Sequence, residues 1–104
     1  MRSVKVAAAA EEDLKEIWAY IAEHNTKAAA KIIKEITGKF AILRDYPHIG
    51  QEQDKLLVNL RSLVVKNYII FYQPFEDRVE TLRVLHSSRD VERLFENFFD
   101  SLNE

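Results

Sequence analysis

The chain has 104 residues, with 15 Lys and Arg against 17 Asp and Glu, a formal net charge of −2. That length carries one domain, residues 1-104, and ~100 residues bury roughly two-thirds of their extended surface, enough for a real core. A composition that is 47% hydrophobic and 31% charged excludes a disordered chain, and the slightly acidic balance disfavours direct nucleic-acid binding.

Cysteine is absent, so disulfides, thiolate zinc sites and cysteine nucleophiles are excluded. Only two glycines occur, which removes the glycine-rich phosphate loops. The start runs directly into a structured segment, and no apolar run approaches the ~20 residues of a membrane helix. These features predict a cytoplasmic protein with no membrane association.

In chain order, Ser3 to Ala8 alternates weakly, with Val4 and Val6 apolar, and predicts a short edge strand. The first helix follows. Glu11, Glu12 and Asp13 form an acidic first turn, expected to be solvated and favoured by the helix dipole. Leu14, Ile17, Trp18 and Ile21 repeat at the spacing of one buried stripe. Asn25 or Thr26 is placed to cap a second helix, Lys27 to Arg44, whose apolar face holds Ile32, Ile36, Phe40 and Leu43. Lys27, Lys31, Lys34 and Lys39 fall largely outside that stripe, and Gly38 costs the helix ~1 kcal/mol relative to alanine. Pro47 and Gly50 end the helical hairpin.

The second half changes to strand periodicity. Leu56 to Val65 and Tyr68 to Tyr72 read as a β-hairpin, with Lys66-Asn67 as the turn and Asn67 suited to positive φ. Pro74 to Asp77 turns the chain into a further strand, Arg78 to His86. Simple alternation puts Leu82, Val84 and His86 on one face and Thr81, Arg83 and Leu85 on the other. Ser87 and Ser88 are candidate caps for a last helix, Arg89 to about Phe99, with Val91, Leu94, Phe95 and Phe98 on one side. The expected fold class is α+β in the order β-α-α-β-β-β-α. An antiparallel sheet carries the helical hairpin on one face and leaves the other partly open.

Few residues can carry chemistry. The three histidines, His24, His48 and His86, share no metal-ligand spacing, so neither a metal nor another cofactor is expected. The notable set is Arg61, Arg83, His86 and Arg89. Arginine and histidine together can hold a phosphate and move a proton, as RNA cleavage by 2′-hydroxyl attack requires. The competing reading pairs Arg83 and Arg89 with Glu80, Asp90 or Glu92 and makes His86 a hydrogen-bonded core residue. Trp18 and Tyr20 are core and rim aromatics, or line a groove for a partner's apolar side chains.

Five segments in order resemble the RelE/ParE toxin superfamily. They are the helix Ala10 to Glu23, Ala28-Ala29, the helix end Leu43-Arg44-Asp45-Tyr46-Pro47-His48-Ile49-Gly50, the strands around Leu60-Arg61-Ser62 and Tyr68 to Tyr72, and Arg83-Val84-Leu85-His86-Ser87-Ser88-Arg89-Asp90. The resemblance implies a toxin of a type II toxin–antitoxin module, of the plasmid stabilisation type, neutralised by a cognate antitoxin. It implies contacts with that antitoxin at Trp18, Tyr20 and Tyr72, and with the target at Arg61, Arg83, His86 and Arg89. A homodimer and a toxin–antitoxin hetero-oligomer are both compatible with it. RelE-like members cleave mRNA in the ribosome, whereas ParE-like members are non-enzymatic poisons of DNA gyrase.

This chain departs from the RelE branch. Ile69 stands where that branch often has arginine, the last helix has no tyrosine, and Leu56-Leu57-Val58-Asn59 replaces a lysine-rich strand. The resemblance is therefore closer to ParE. The alternatives are an mRNA endonuclease using Arg61, Arg83, His86 and Arg89, or an antitoxin-binding remnant without toxicity.

Overall fold

A computed structural model describes residues 2–102, with side chains through residue 97. The elements are β1 (Ser3–Val6), α1 (Ala8–Ala22), α2 (Thr26–Asp45), β2 (Gln51–Glu52), β3 (Arg61–Val65), β4 (Tyr68–Pro74), β5 (Arg78–His86) and α3 (Val91–Leu102). They follow the expected order, with the two-residue β2 added before the hairpin.

The five strands form one sheet, β1-β5-β4-β3-β2. β1 runs parallel to β5, with Val4 opposite Val79, while the other pairs are antiparallel. The sheet is therefore mixed. Alternation in β1 marks a strand but carries no information about the direction of its partner. The first strand of the hairpin begins at Arg61 and not at Leu56, because residues 54–59 form an irregular loop closed by Asn59 at φ 66°. There the Asp54 carboxylate accepts the Asn59 backbone amide at 3.0 Å, a side-chain contact that competes with strand pairing.

The helical hairpin packs on one face of the sheet. Ile36, Leu43, Val65, Ile70, Tyr72, Val79 and Val84 form that core, joined by Leu14 and Ile17 of α1. α2 is opened by Asn25, whose side chain accepts the Ala28 amide at 3.0 Å. Within α1 the buried positions are Ala10 and Asp13, with Leu14 and Ile17 partly buried. Trp18 is 41% exposed, so it leaves the expected stripe.

The opposite face is less open than expected. Leu60, Phe71 and Leu85 are covered by Phe95 of α3, with the Phe71 and Phe95 rings 5.1 Å apart. Leu56 and Leu57 pack against the same cluster, while Val64 stays 65% exposed. Phe98, expected on that side of α3, has its side chain outside the described residues.

A bulge decides which β5 residues face which layer. Phe71 pairs with Arg83 but Tyr72 pairs with Thr81, so Leu82 is the extra residue. One inserted residue reverses the alternation. Val79 and Val84 both reach the hairpin core, and Leu82 and Leu85 both reach the α3 core. The expected sharing of one face by Leu82 and Val84 is thereby corrected, as is that of Thr81 with Leu85. Two smaller differences concern turns. Lys66, not Asn67, takes positive φ (56°). Asp90, not Ser87 or Ser88, caps α3 by accepting the Arg93 amide at 3.3 Å.

Candidate functional site

The last turn of β5 faces α1 across a cleft of about 360 Å³. Its walls include Glu16 and Tyr20 from α1, Tyr68 from β4, and His86, Ser88 and Arg89 beyond the bulge. Three of these come from one short segment because a strand end and its connection to α3 converge there.

Beside the cleft, Arg83 is held by Asp13. Its Nε and Nη2 donate to Asp13 Oδ2 and Oδ1 at 2.8 and 2.9 Å, a bidentate pair. Asp13 Oδ2 also accepts the Val84 amide at 2.9 Å, satisfying a backbone group beside the bulge. The Asp13 side chain is 8% exposed and that of Arg83 25%. The hydrogen bond that Arg83 donates to Asp13 raises the Arg83 pKa above its ordinary value, so the guanidinium stays charged.

Asp13 corrects the expectation of a solvated acidic turn. Its position was legible, since Ala10, Asp13 and Ile17 follow the i, i+3, i+7 spacing of an inward face. The sequence places an arginine near acids, but the acid is on α1, 70 residues away, and not at Glu80, Asp90 or Glu92.

His86 is exposed and not a core residue. Its Nδ1 accepts the Ser88 amide at 3.1 Å and lies 2.8 Å from Ser88 Oγ. That geometry assigns the proton of the neutral ring to Nε2, facing away from the backbone. The ring meets Tyr68 edge-on at 5.3 Å. Burial, and secondarily Tyr20, push the Tyr68 hydroxyl pKa up, which keeps it a neutral donor. Arg89 is exposed, and its guanidinium has no carboxylate partner among the described residues.

Arg61 does not join this group. It sits on β3, separated from β5 by β4. Its Nη1 donates to the carbonyls of His48 and Gly50 at 3.1 and 2.8 Å, and its Nη2 to Glu52 at 3.3 Å. The side chain is 19% exposed, so Arg61 is a clamp on the loop after α2. Tyr72, opposite Arg61, serves the same loop. Its hydroxyl donates to the Pro47 carbonyl at 2.9 Å and accepts the Gly50 amide at 2.8 Å. Tyr72 is completely buried, so it has no surface for an antitoxin, and that expectation is corrected. Trp18 and Tyr20, at 41% and 76% exposure, remain available to a partner.

Chemically, the cleft offers one imidazole, two phenols, the Glu16 carboxylate and one guanidinium without a carboxylate partner among the described residues. That arrangement suits mixed polar and aromatic contacts with a protein better than the grip on a polyanion, which needs several free cations.

Three comparisons agree on the relatives of this architecture. Residues 4–91 match the family model described as the ParE toxin of type II toxin-antitoxin system, parDE. The chain is 28% identical over 92 residues to Toxin ParE1 of Caulobacter vibrioides, covering 88% of this chain and 95% of that protein. Its fold resembles a chain of the chromosomal ParDE TA system from P. aeruginosa, with a TM-score of 0.70, 19% identity, and coverage of 83% and 96% of the two chains. It also resembles a chain of the toxin-antitoxin complex RelBE2 from Mycobacterium tuberculosis, with a TM-score of 0.60, 22% identity and coverage of 82% and 96%. The match over most of the length, in a fold shared with both ParDE and RelBE2 neighbours, establishes that this chain belongs to the ParE toxin family of type II toxin–antitoxin systems.

Proposed function

We propose that the chain is a cytoplasmic toxin that disables DNA gyrase by binding it, without cleaving RNA, and that a cognate antitoxin neutralises it. The observation that carries the reading is the fate of the two buried-end arginines. Arg83 is tied to Asp13 and Arg61 to Glu52 and two carbonyls. A ribosome-bound nuclease needs such cations directed at phosphate, and these are spent inside the fold. His86 and Arg89, with Tyr20 and Tyr68, make up the surface left for a target at the β5 corner. Membership of the ParE family supports the choice of gyrase.

Inducible expression in a bacterium tests the proposal. The expected result is growth arrest with DNA breaks, intact translated mRNA, and loss of supercoiling by purified gyrase. Cleaved mRNA, abolished by His86→Ala, indicates the endonuclease reading instead. Normal growth with retained antitoxin binding indicates a non-toxic remnant. Under the gyrase reading, Arg89→Ala with His86→Ala weakens gyrase inhibition about tenfold or more, the scale expected for losing central interface contacts.

A further inference from the structure

A band of positive charge leads away from the β5 corner. α2 and the β3–β4 turn enclose a groove of about 650 Å³, lined by Lys31, Lys34, Lys39 and Lys66 around Gly38 and Val64. The described lining holds one acidic residue, Glu35, so four lysines against one glutamate leave a local charge of +3. The whole chain carries −2. Part of the compensating acid lies elsewhere, where Asp54, Glu92 and Glu96 line a separate cleft beside α3. Lys31, Lys34 and Lys66 are exposed and Lys39 is half-buried. None of the four has a carboxylate partner among the described residues.

Two observations point to what this surface meets. First, the groove is continuous with the corner proposed for the target. Lys66 and Asn67 form the β3–β4 turn, Tyr68 of the next strand lines the corner cleft, and the Asn67 carbonyl accepts the Ser87 amide at 2.8 Å. One turn thus joins the groove to His86 and Arg89. Second, the groove carries charge with little to read a sequence. Its described lining has no arginine, asparagine or glutamine, which recognise base edges through paired hydrogen bonds. Lysine meets phosphate as a point charge. Gly38 adds access, because a methyl group there would meet nothing within 4 Å. Internal packing does not require this glycine, and its bare surface lets a broad ligand approach the helix.

We propose that the groove binds the phosphate backbone of duplex DNA, the substrate held by gyrase, without sequence preference. The role rests on the reading of the chain as a gyrase poison, while the binding site itself stands on the charge band. With the β5 corner on the enzyme, the adjoining lysines meet the DNA beside it. Lys31 to Lys39 spans ~12 Å of helix at 1.5 Å per residue, the axial length of about four phosphates of one strand. Four such contacts are weak alone, with an expected Kd on the order of 100 µM, in the range of nonspecific binding. Beside an enzyme that already holds both partners, the effective concentration is on the order of millimolar, so the same contacts contribute about tenfold.

Fluorescence anisotropy of a labelled DNA duplex, titrated with the purified full chain, tests the site. Affinity is expected to fall roughly hundredfold between about 50 and about 200 mM salt, the counterion release of about four phosphate contacts. Lys34→Gln with Lys66→Gln is expected to weaken binding and to remove about half of that salt slope. Lys15→Gln with Lys55→Gln, at exposed positions outside the groove, changes neither. An unchanged circular dichroism spectrum confirms the fold of each variant. Equal affinity and slope for the groove variant overturn the inference. So does tighter binding of a duplex RNA of the same sequence, or of polyglutamate, since each assigns the groove to another class of partner. With purified gyrase, the groove variant is expected to inhibit supercoiling about tenfold less than the wild type, yet to bind DNA-free gyrase equally. Weaker binding to DNA-free gyrase makes the lysines protein contacts and overturns the inference. If the wild type leaves supercoiling untouched, the gyrase reading falls and the duplex titration still decides the groove.

Discussion

At the end of β5, Arg83 lies 2.8 Å from a buried carboxylate; along α2, Lys31, Lys34 and Lys39 line a groove with no ion-pair partner among the described residues. The first cation falls in the segment most suggestive of chemistry, Arg83 to Asp90. The others belong to an unremarkable run outside an apolar stripe. Their roles are the reverse of that appearance. Arg83 connects α1 to the sheet through Asp13, whereas the lysines have no ion-pair partner among the described residues. A charge beside a signature motif is functional only if the fold does not consume it, and desolvation decides which charges are consumed. A carboxylate buried as deeply as Asp13 requires a partner, while lysines that keep contact with solvent are stabilised by water.

The strongest way to break this contrast is Asp13→Ala. It strands Arg83 and the Val84 amide together, and the expected loss is about 3 kcal/mol, the lower end for breaking a buried pair because Arg83 keeps some solvent. Urea unfolding reads it directly. A loss under ~0.5 kcal/mol, the range of ordinary surface changes, would show the pair to be ornamental.

Gly50→Ala comes next. A methyl group there would lie 2.6 Å from the Tyr72 hydroxyl and 2.7 Å from the Ser62 carbonyl. The second contact is backbone and cannot move aside cheaply. About 2 kcal/mol of destabilisation is expected from overpacking, measured as a fall in the denaturant midpoint. Unchanged stability would mean that the clamp made by Arg61 and Tyr72 is loose.

Tyr72→Phe removes one bond to Pro47 and one from Gly50, leaving two backbone groups to find other partners. The expected cost is ~1–2 kcal/mol. The same variant has a pH signature. Burial raises the Tyr72 pKa above the ordinary 10.0, outweighing the Gly50 bond and Arg61, which lower it. The folded phenol therefore holds its proton while the unfolded one loses it. That contribution is complete below the unfolded pKa and is lost as pH rises towards the folded one. As pH rises through the ordinary phenol value of about 10, the wild type should lose more stability than Tyr72→Phe. Parallel losses would rule out a raised phenol at this site.

The smallest effect sharpens the other side of the contrast. Arg89→Ala should change stability by less than ~0.5 kcal/mol, since no partner is lost. Thermal unfolding checks this. A clear drop would reveal a structural role and weaken Arg89 as a target contact.

The sequence was legible where one period governs one element. The stripe in α2, the Asn25 cap and the three long strands follow from local patterning, and the family resemblance holds over residues 4–91. Trp18 misled because its spacing fits the α1 stripe, yet the inward face turns through Ala10, Asp13 and Ile17. The candidate set was half legible. His86 and Arg89 share the corner, but Arg61 faces a different loop and Tyr72 is interior.

By itself, the amino-acid sequence determined the element types, the α+β class with a helical hairpin on one sheet face, and the family, because these depend on periodicity, caps and turn residues close in the chain. Only the tertiary structure decided that β1 runs parallel to β5, that a bulge at Leu82 reverses the faces of β5, and that Asp13 holds Arg83. Each of those depends on groups far apart in the chain. Packing, desolvation and hydrogen-bond satisfaction act between them only after the layers have met.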